Sequence, residues 1–284
     1  MLFVTQTNQP VDKHSYAELI PIVYDRFHKP ITDQPLPVHI FDTGSSGNSV
    51  YIKNMHILID LGLPYKRYKE YSEVFFNDVD YIILTHEHGD HINPATLLRV
   101  LKTFPHVRVI IPKNMWTTIN SEGWSHRIRQ DELRQYCQPG NNRFYLAEEH
   151  MLITRDLINV HFKPHLTRHG DITNIAIELT TPQLDAHILY ASDLDTLDPD
   201  ETGVTQGLPH YSNNPFNLIF LEANYDTDLL NEALRINPYD AKAKGNLRHI
   251  SEQEAFAYVE RYLTDDGVFI PLHASSQFGT LIQK

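Results

Sequence analysis

The sequence predicts an α/β protein in which sheets and helices form layers. Three observations carry this. Short apolar runs bounded by Gly, Pro, Asn and Asp recur along the chain, as strands do. Stretches with helical spacing of apolar residues are interposed among them. At 284 residues the chain can bury a sizeable core.

The elements run in order. Residues 1–37 read as an N-terminal extension: Tyr16–Phe27 has helical spacing, and Pro30, Pro35 and Pro37 break the stretch after it. The domain starts at Val38, runs to residue 284, and opens with a strand at Val38–Phe41. A small-residue loop, Gly44-Ser45-Ser46-Gly47-Asn48, leads to two apolar runs, Val50–Ile52 and His56–Asp60, with the punctuation of a hairpin. Val79–Leu84 is a buried strand, Pro94–Leu101 a helix and Val107–Ile111 another strand. Residues 113–145 are polar and mixed and read as an insert, either a lid or an interface. Strand patterns return at 151–153, 158–162, 175–179, 187–190 and 218–221, followed by a helix over 251–263 and a last strand at 268–272. This order suits layered sheets and helices.

Composition narrows the function. No apolar run approaches the roughly 18 residues of a membrane span, and Met1–Gln6 lacks the basic and apolar regions of a secretory signal. The single cysteine, Cys137, can form no intramolecular disulfide, so a reducing cytoplasm is the expected setting. The formal charge is −12, without a block of Lys and Arg. Proteins that track long duplexes neutralise phosphates with basic faces, so the charge favours a small anionic substrate. A local basic patch can still sit within an acidic total.

Histidine is over-used, at 17 residues. Four donor groups crowd into His86, His88, Asp90 and His91, directly after the strand ending at Leu84. Imidazoles and a carboxylate suit Zn, Mn or Fe. Four are too many for one tetrahedral site that keeps a water, so two adjacent sites are expected, able to clamp substrate oxygens between them.

Thr85-His86-Glu87-His88-Gly89-Asp90-His91 resembles the signature of the metallo-β-lactamase superfamily, and matches in order extend from Val38 towards the C-terminus. Asp60 resembles the residue that steadies the histidine loop, Tyr190-Ala191-Ser192-Asp193 the bridging-aspartate motif, and Ile270-Pro271-Leu272-His273 the last-histidine motif. The resemblance implies a four-layer αββα sandwich holding two divalent ions, Zn foremost with Mn and Fe as alternatives. One ion would be held by His86, His88 and a third histidine, the other by Asp90, His91 and His273, with Asp193 bridging and Asp195 as its rival. The third histidine is His169, which precedes Gly170, with His165 as the alternative.

Within the superfamily, Gly44–Asn48 resembles the early loop of YycJ-type exonucleases and related phosphodiesterases. Leu221-Glu222-Ala223-Asn224 and His249-Ile250-Ser251 resemble two segments of ribonuclease Z. Expulsion of an alkoxide benefits from a proton, which a histidine oriented by a carboxylate supplies; Glu222 and His249 are the expected pair. A plain helix start, with Ser251 as its cap, is the structural alternative. Glyoxalase II-like thioesterases are not expected to show this pair, and di-iron flavoproteins place Glu where this chain has His88. The resemblance thus implies a dinuclear-metal phosphodiesterase for small nucleotides, cyclic ones included, with a water shared between the metals as nucleophile. A DNA or RNA nuclease and a metal-free scaffold are the alternatives. The catalytic residues expected are Asp90, Glu222 and His249. A nucleotide substrate and a homodimer, with no membrane partner, complete the expectation.

Overall fold

A computed structural model describes residues 24, 38–120, 127–137, 141–147, 150–155, 158–201, 203–211 and 213–281. The extension and its expected helix at Tyr16–Phe27 lie outside these residues apart from Tyr24. The described residues divide into two compact units, the first lying within residues 38–147 and the second within residues 150–281 together with Tyr24.

The first unit is built on a six-stranded sheet: β1 (Val38–Asp42), β2 (Ser49–Ile52), β3 (Ile57–Ile59), β4 (Tyr81–Ile83), β5 (Arg108–Ile111) and β6 (Phe144–Leu146), paired in that order. The pairs β1–β2 and β2–β3 are antiparallel; β3–β4, β4–β5 and β5–β6 are parallel. The central strands are apolar without alternation, and Ile57, Leu58, Ile59, Ile82 and Ile83 are wholly buried. That is the pattern of strands covered on both faces. Helices α1 (Tyr65–Tyr71), α2 (Pro94–Thr103), α3 (Lys113–Asn120) and α4 (Arg127–Arg134) complete this unit. Helix α2 starts where the sequence says it should. Asn93 caps it, its side chain accepting from the Thr96 amide, and Pro94 takes the first turn, where no amide donor is needed. Leu97, Leu98, Val100 and Leu101 then bury one face. The stretch 113–145 supplies α3, α4 and part of the sheet, since β6 adds to the edge at β5. Cys137 is buried in this core, which pushes its thiol up to about 12.

The second unit repeats the plan. Its sheet runs β12 (Leu263–Leu272), β11 (Phe216–Glu222), β10 (Ala186–Ala191), β9 (Ile172–Thr181), β8 (Ile158–His169) and β7 (Met151–Arg155). Strands β7 to β10 pair antiparallel, and β10–β11 and β11–β12 are parallel. Tyr24 bridges to Phe269 on the β12 edge. Helices α5 (Thr227–Ile236), α6 (Ala241–Asn246) and α7 (Glu252–Tyr262) belong to this unit. Ser251 caps α7 in a full capping box with Glu254. Among the described residues no helix is long and apolar enough to cross a membrane. The fold is thus mixed α/β with two six-stranded sheets. In each, parallel strands follow an antiparallel run and deliver their carboxyl ends to loops, the places where α/β sheets hold ligands.

Candidate metal centre

In the first unit, the loop after β4 carries the donor cluster. His86 and His91 are wholly buried, while His88 and Asp90 are half-buried. The Nε2 of His86 lies 3.0 Å from Nδ1 of His88, and the His86 and His91 rings are 4.1 Å apart. Asp90 Oδ2 stands 3.8 Å from Nε2 of His91. Asp60, at the end of β3 and fully buried, holds this loop from beneath. Its Oδ2 is 2.7 Å from Nδ1 of His91, and its Oδ1 accepts from the amide and hydroxyl of Thr85 at 2.9 and 3.0 Å. A carboxylate on Nδ1 fixes the ring orientation and turns Nε2 outward, as ligand histidines require.

The small-residue loop interlocks with the same segment. The Asn48 amide donates to Asp90 O at 2.6 Å, and its side-chain Nδ2 lies 2.9 Å from His91 Nε2. Gly62 permits this approach, because a Cβ there would stand 1.8 Å from Asp90 O.

In the second unit, Asp193, Glu222, His249 and His273 each offer a donor atom within 4.8 Å of the others. Asp193 follows β10, Glu222 ends β11 and His273 follows β12. His273 Nε2 is 3.5 Å from Asp193 Oδ1, and His169 Nε2 is 3.8 Å from Asp193 Oδ2. Asp195 lies 3.6 Å from Nδ1 of His169, and both its oxygens accept from the Gly170 amide at 2.9 Å. It therefore closes the turn that follows His169. His165 points elsewhere, 2.7 Å from Glu178, which also meets His187 at 3.0 Å.

Glu222 is wholly buried and lies 2.5 Å from His249 Nδ1. Its second oxygen accepts from the Leu194 amide at 2.6 Å. Burial alone would push its carboxyl up, but the charge of His249 and hydrogen bonds from His249 and His273 outweigh it and hold the group below the usual glutamate value. His249 leads into the Ser251 cap, so the helix start fixes the backbone that carries it.

Sequence reasoning missed the amide braces. Asn174 donates to the carbonyls of Ser192 and Asp193 at 2.6 and 2.9 Å, and Asn224 to that of His273 at 2.7 Å. The available signals were Asn174, shortly after His169 where the next strand opens, and Asn224, directly after Ala223. The donors fit divalent ions: imidazoles and carboxylates, crowded, mostly buried and several of them braced from behind, the make-up of sites for Zn, Mn or Fe.

Residues 42–179 match the family model of the metallo-β-lactamase superfamily. A Bacillus subtilis (strain 168) protein, described as uncharacterized protein YobT, is 30% identical over 104 residues, covering 36% of this chain. The chain spans only 42% of that relative's length. Among solved structures, the short form of human tRNase Z superposes with a TM-score of 0.54 at 14% identity, over 84% of this chain and 92% of that one. A long-form RNase Z from yeast gives 0.49 at 14% identity, over 96% of this chain and 40% of that one. The human likeness shows a shared fold.

Proposed function

We propose that this chain, whose residues 42–179 match the metallo-β-lactamase superfamily model, is a metal-dependent hydrolase and that the bond it cleaves is a phosphodiester of a nucleotide. The observation that carries this is the Glu222–His249 pair, a buried carboxylate 2.5 Å from an imidazole beside the Asp193–His273 donors. Hydrolysis of an ester with an alkoxide leaving group needs a proton at the departing oxygen. Glu222 holds Nδ1 of His249, so the other ring nitrogen presents that proton. The anchored Glu222 keeps the ring from turning away.

The ligands we propose are those of the resemblance: His86, His88 and His169 for one ion, Asp90, His91 and His273 for the other, with Asp193 serving both. Two divalent ions, when bound, supply Lewis acidity at the phosphoryl oxygens and a water acidified to near neutrality. Asp60 orients His91, Asp195 closes the turn after His169, and Asn174 and Asn224 hold the turns that carry Asp193 and His273.

The net charge of −12 favours a small nucleotide, a cyclic mononucleotide included, over long duplex DNA. A second reading, a nuclease on single-stranded DNA or RNA, is supported by the basic segment at 242–248. The test is turnover of 3′,5′-cyclic mononucleotides beside single- and double-stranded DNA and RNA, with Zn or Mn added and Asp90→Ala as control. Cleavage of at least one of these, lost in Asp90→Ala along with part of the bound metal, is expected. Full activity of Asp90→Ala with unchanged metal content refutes the ligand assignment.

A further inference from the structure

The chain is acidic in total, with 36 Asp and Glu against 24 Lys and Arg. One segment of the second unit reverses the balance. Between Tyr239 and His249, Lys242, Lys244 and Arg248 stand against a single carboxylate, Asp240. Asp240 is already engaged, its side chain capping α6 through the Lys242 and Ala243 amides. All three cations are exposed, and none has a carboxylate partner among the described residues. Elsewhere Lys66 and Lys69 of α1 pair with Glu70 and Glu73, and Arg235 pairs with Glu232.

An aromatic side chain stands among these charges. Tyr239 is 84% exposed, and the Lys244 ammonium lies 5.2 Å from its ring centroid. A large exposed ring offers apolar area whose burial by a partner is favourable. Exposed aromatics interleaved with unpaired cations are how proteins hold single-stranded nucleic acid, bases stacking on the ring and phosphates meeting the charges.

The segment is also built in place. Leu230 of α5 and Ala243 of α6 pack with Phe278 in a buried cluster. Helix α5 begins five residues after Glu222, and Phe278 lies five residues after His273. The hairpin of α5 and α6 is thus tied to the carboxyl ends of both β11 and β12. Arg248 directly precedes His249, and the five residue steps from Lys244 to His249 span at most about 17 Å even if extended.

We propose that Tyr239, Lys242, Lys244 and Arg248 form a binding surface for the single-stranded nucleic acid that continues from the scissile phosphate. This rests on the phosphodiesterase reading and deepens it. A strand held beside His249 places its terminal linkage at the proton donor, and an acidic remainder keeps long duplexes away. The overall charge and the local surface then act together rather than in conflict.

The test measures binding apart from turnover. Fluorescence anisotropy follows a labelled phosphorothioate oligothymidylate, whose linkages resist hydrolysis, on the metal-loaded chain across a salt series. With about 0.7 counterions released per phosphate, three contacts contribute a slope of about −2 in log K against log salt. The triple variant Lys242→Ser/Lys244→Ser/Arg248→Ser should lose that contribution. Tyr239→Ala should weaken binding about tenfold at unchanged slope. Lys66→Ser/Lys69→Ser, on α1, is the charge control and should bind as the parent does. Equal binding by parent, triple variant and Tyr239→Ala overturns the proposal, as does a parent that binds no strand. If the parent binds the strand with these dependences but cleaves no phosphodiester, the surface stands and the phosphodiesterase reading falls. Cleavage of small nucleotides without strand binding has the opposite meaning.

Discussion

Replacing His249 with alanine separates a proton donor from a metal ligand or a brace, and the leaving group of the substrate makes the separation. His249 Nδ1 lies 2.5 Å from a carboxylate that is wholly buried and also anchored on the Leu194 amide at 2.6 Å. Little orientational freedom remains in the ring, so the full general-acid contribution is expected. That is about 10²–10⁴ in kcat, or about 2.7–5.4 kcal/mol in the barrier, for a nucleotide linkage whose leaving group is an alkoxide. A p-nitrophenyl ester of thymidine 5′-phosphate departs as a stable phenolate and needs no proton, so its loss should stay under about tenfold. Glu222→Gln keeps an acceptor for Leu194 but loses the charge on His249, and should fall between the two. The assay is kcat for both substrates with each variant, beside bound metal counted by mass spectrometry. Equal loss on both substrates would sink the assignment. So would a loss of bound metal in His249→Ala, because His249 belongs to the donor group formed by Asp193, Glu222 and His273 and would then be a ligand.

Two other substitutions probe the frame. In Gly62→Ala the new Cβ would meet Asp90 O at 1.8 Å, with Asn48 N at 2.8 Å. The loops must part, costing about 3 kcal/mol and weakening metal uptake; thermal unfolding and a metal titration check both, and a parent-like variant would show that the loops separate freely. Glu178 is buried, which would push its carboxyl up, yet hydrogen bonds from His165 and His187 and the nearby Lys163 hold it well below the usual value. A depressed carboxyl stabilises the fold fully above the ordinary glutamate range, at about pH 4.3, and loses that contribution as pH falls towards its folded value. Glu178→Gln should therefore cost about 2 kcal/mol at pH 7, with a deficit that shrinks below about pH 4. Urea melts across pH measure it, and a deficit independent of pH would refute the linkage.

The legible parts of this molecule are those where a local pattern and its chemistry coincide. The loop after β4 could be read because a dense set of donors follows a wholly apolar strand. Helices α2 and α7 could be read from Asn93-Pro94 and from Ser251 with Glu254. Helices α5 and α6 could not. Helix α5 buries only Leu230 and α6 only Ala243, and both rest on Phe278, far along the chain. Strand β6 has three residues and a partner more than 30 positions away, so nothing local announces it. Strand β8 is twelve residues long, yet only its first part reads as a strand. Beyond that, Lys163 and His165 look like loop residues until Glu178, on the next strand, is placed against them. The same fact explains why His165 and His169 compete on paper. Four residues apart on a strand, they share a face, and alternation cannot separate them. A cross-strand carboxylate does, because Glu178 engages His165 while Asp195 and Asp193 stand beside His169.

Backbone strain obeys the same division between what is local and what is tertiary. Six described non-glycine residues have positive φ, and three of them are Asp60, Asp193 and His273, at φ 58°, 57° and 52°. Each comes after the end of a strand in the parallel part of its sheet: β3, β10 and β12. The left-handed conformation costs an ordinary residue about 1–3 kcal/mol, and it turns the chain sharply where the strand ends. A glycine would adopt the same φ freely but bring no donor. The cost is offset by bonds made at the same residues: Thr85 to the Asp60 carboxylate, Asn174 to the Asp193 carbonyl, and Asn224 to the His273 carbonyl. Two of these braces are side-chain amides, Asn174 and Asn224, whose partners lie 19 and 49 positions along the chain. The donors could be read from their chemistry, then, but the means of holding them in a costly conformation could not, because each brace comes from a different strand or loop.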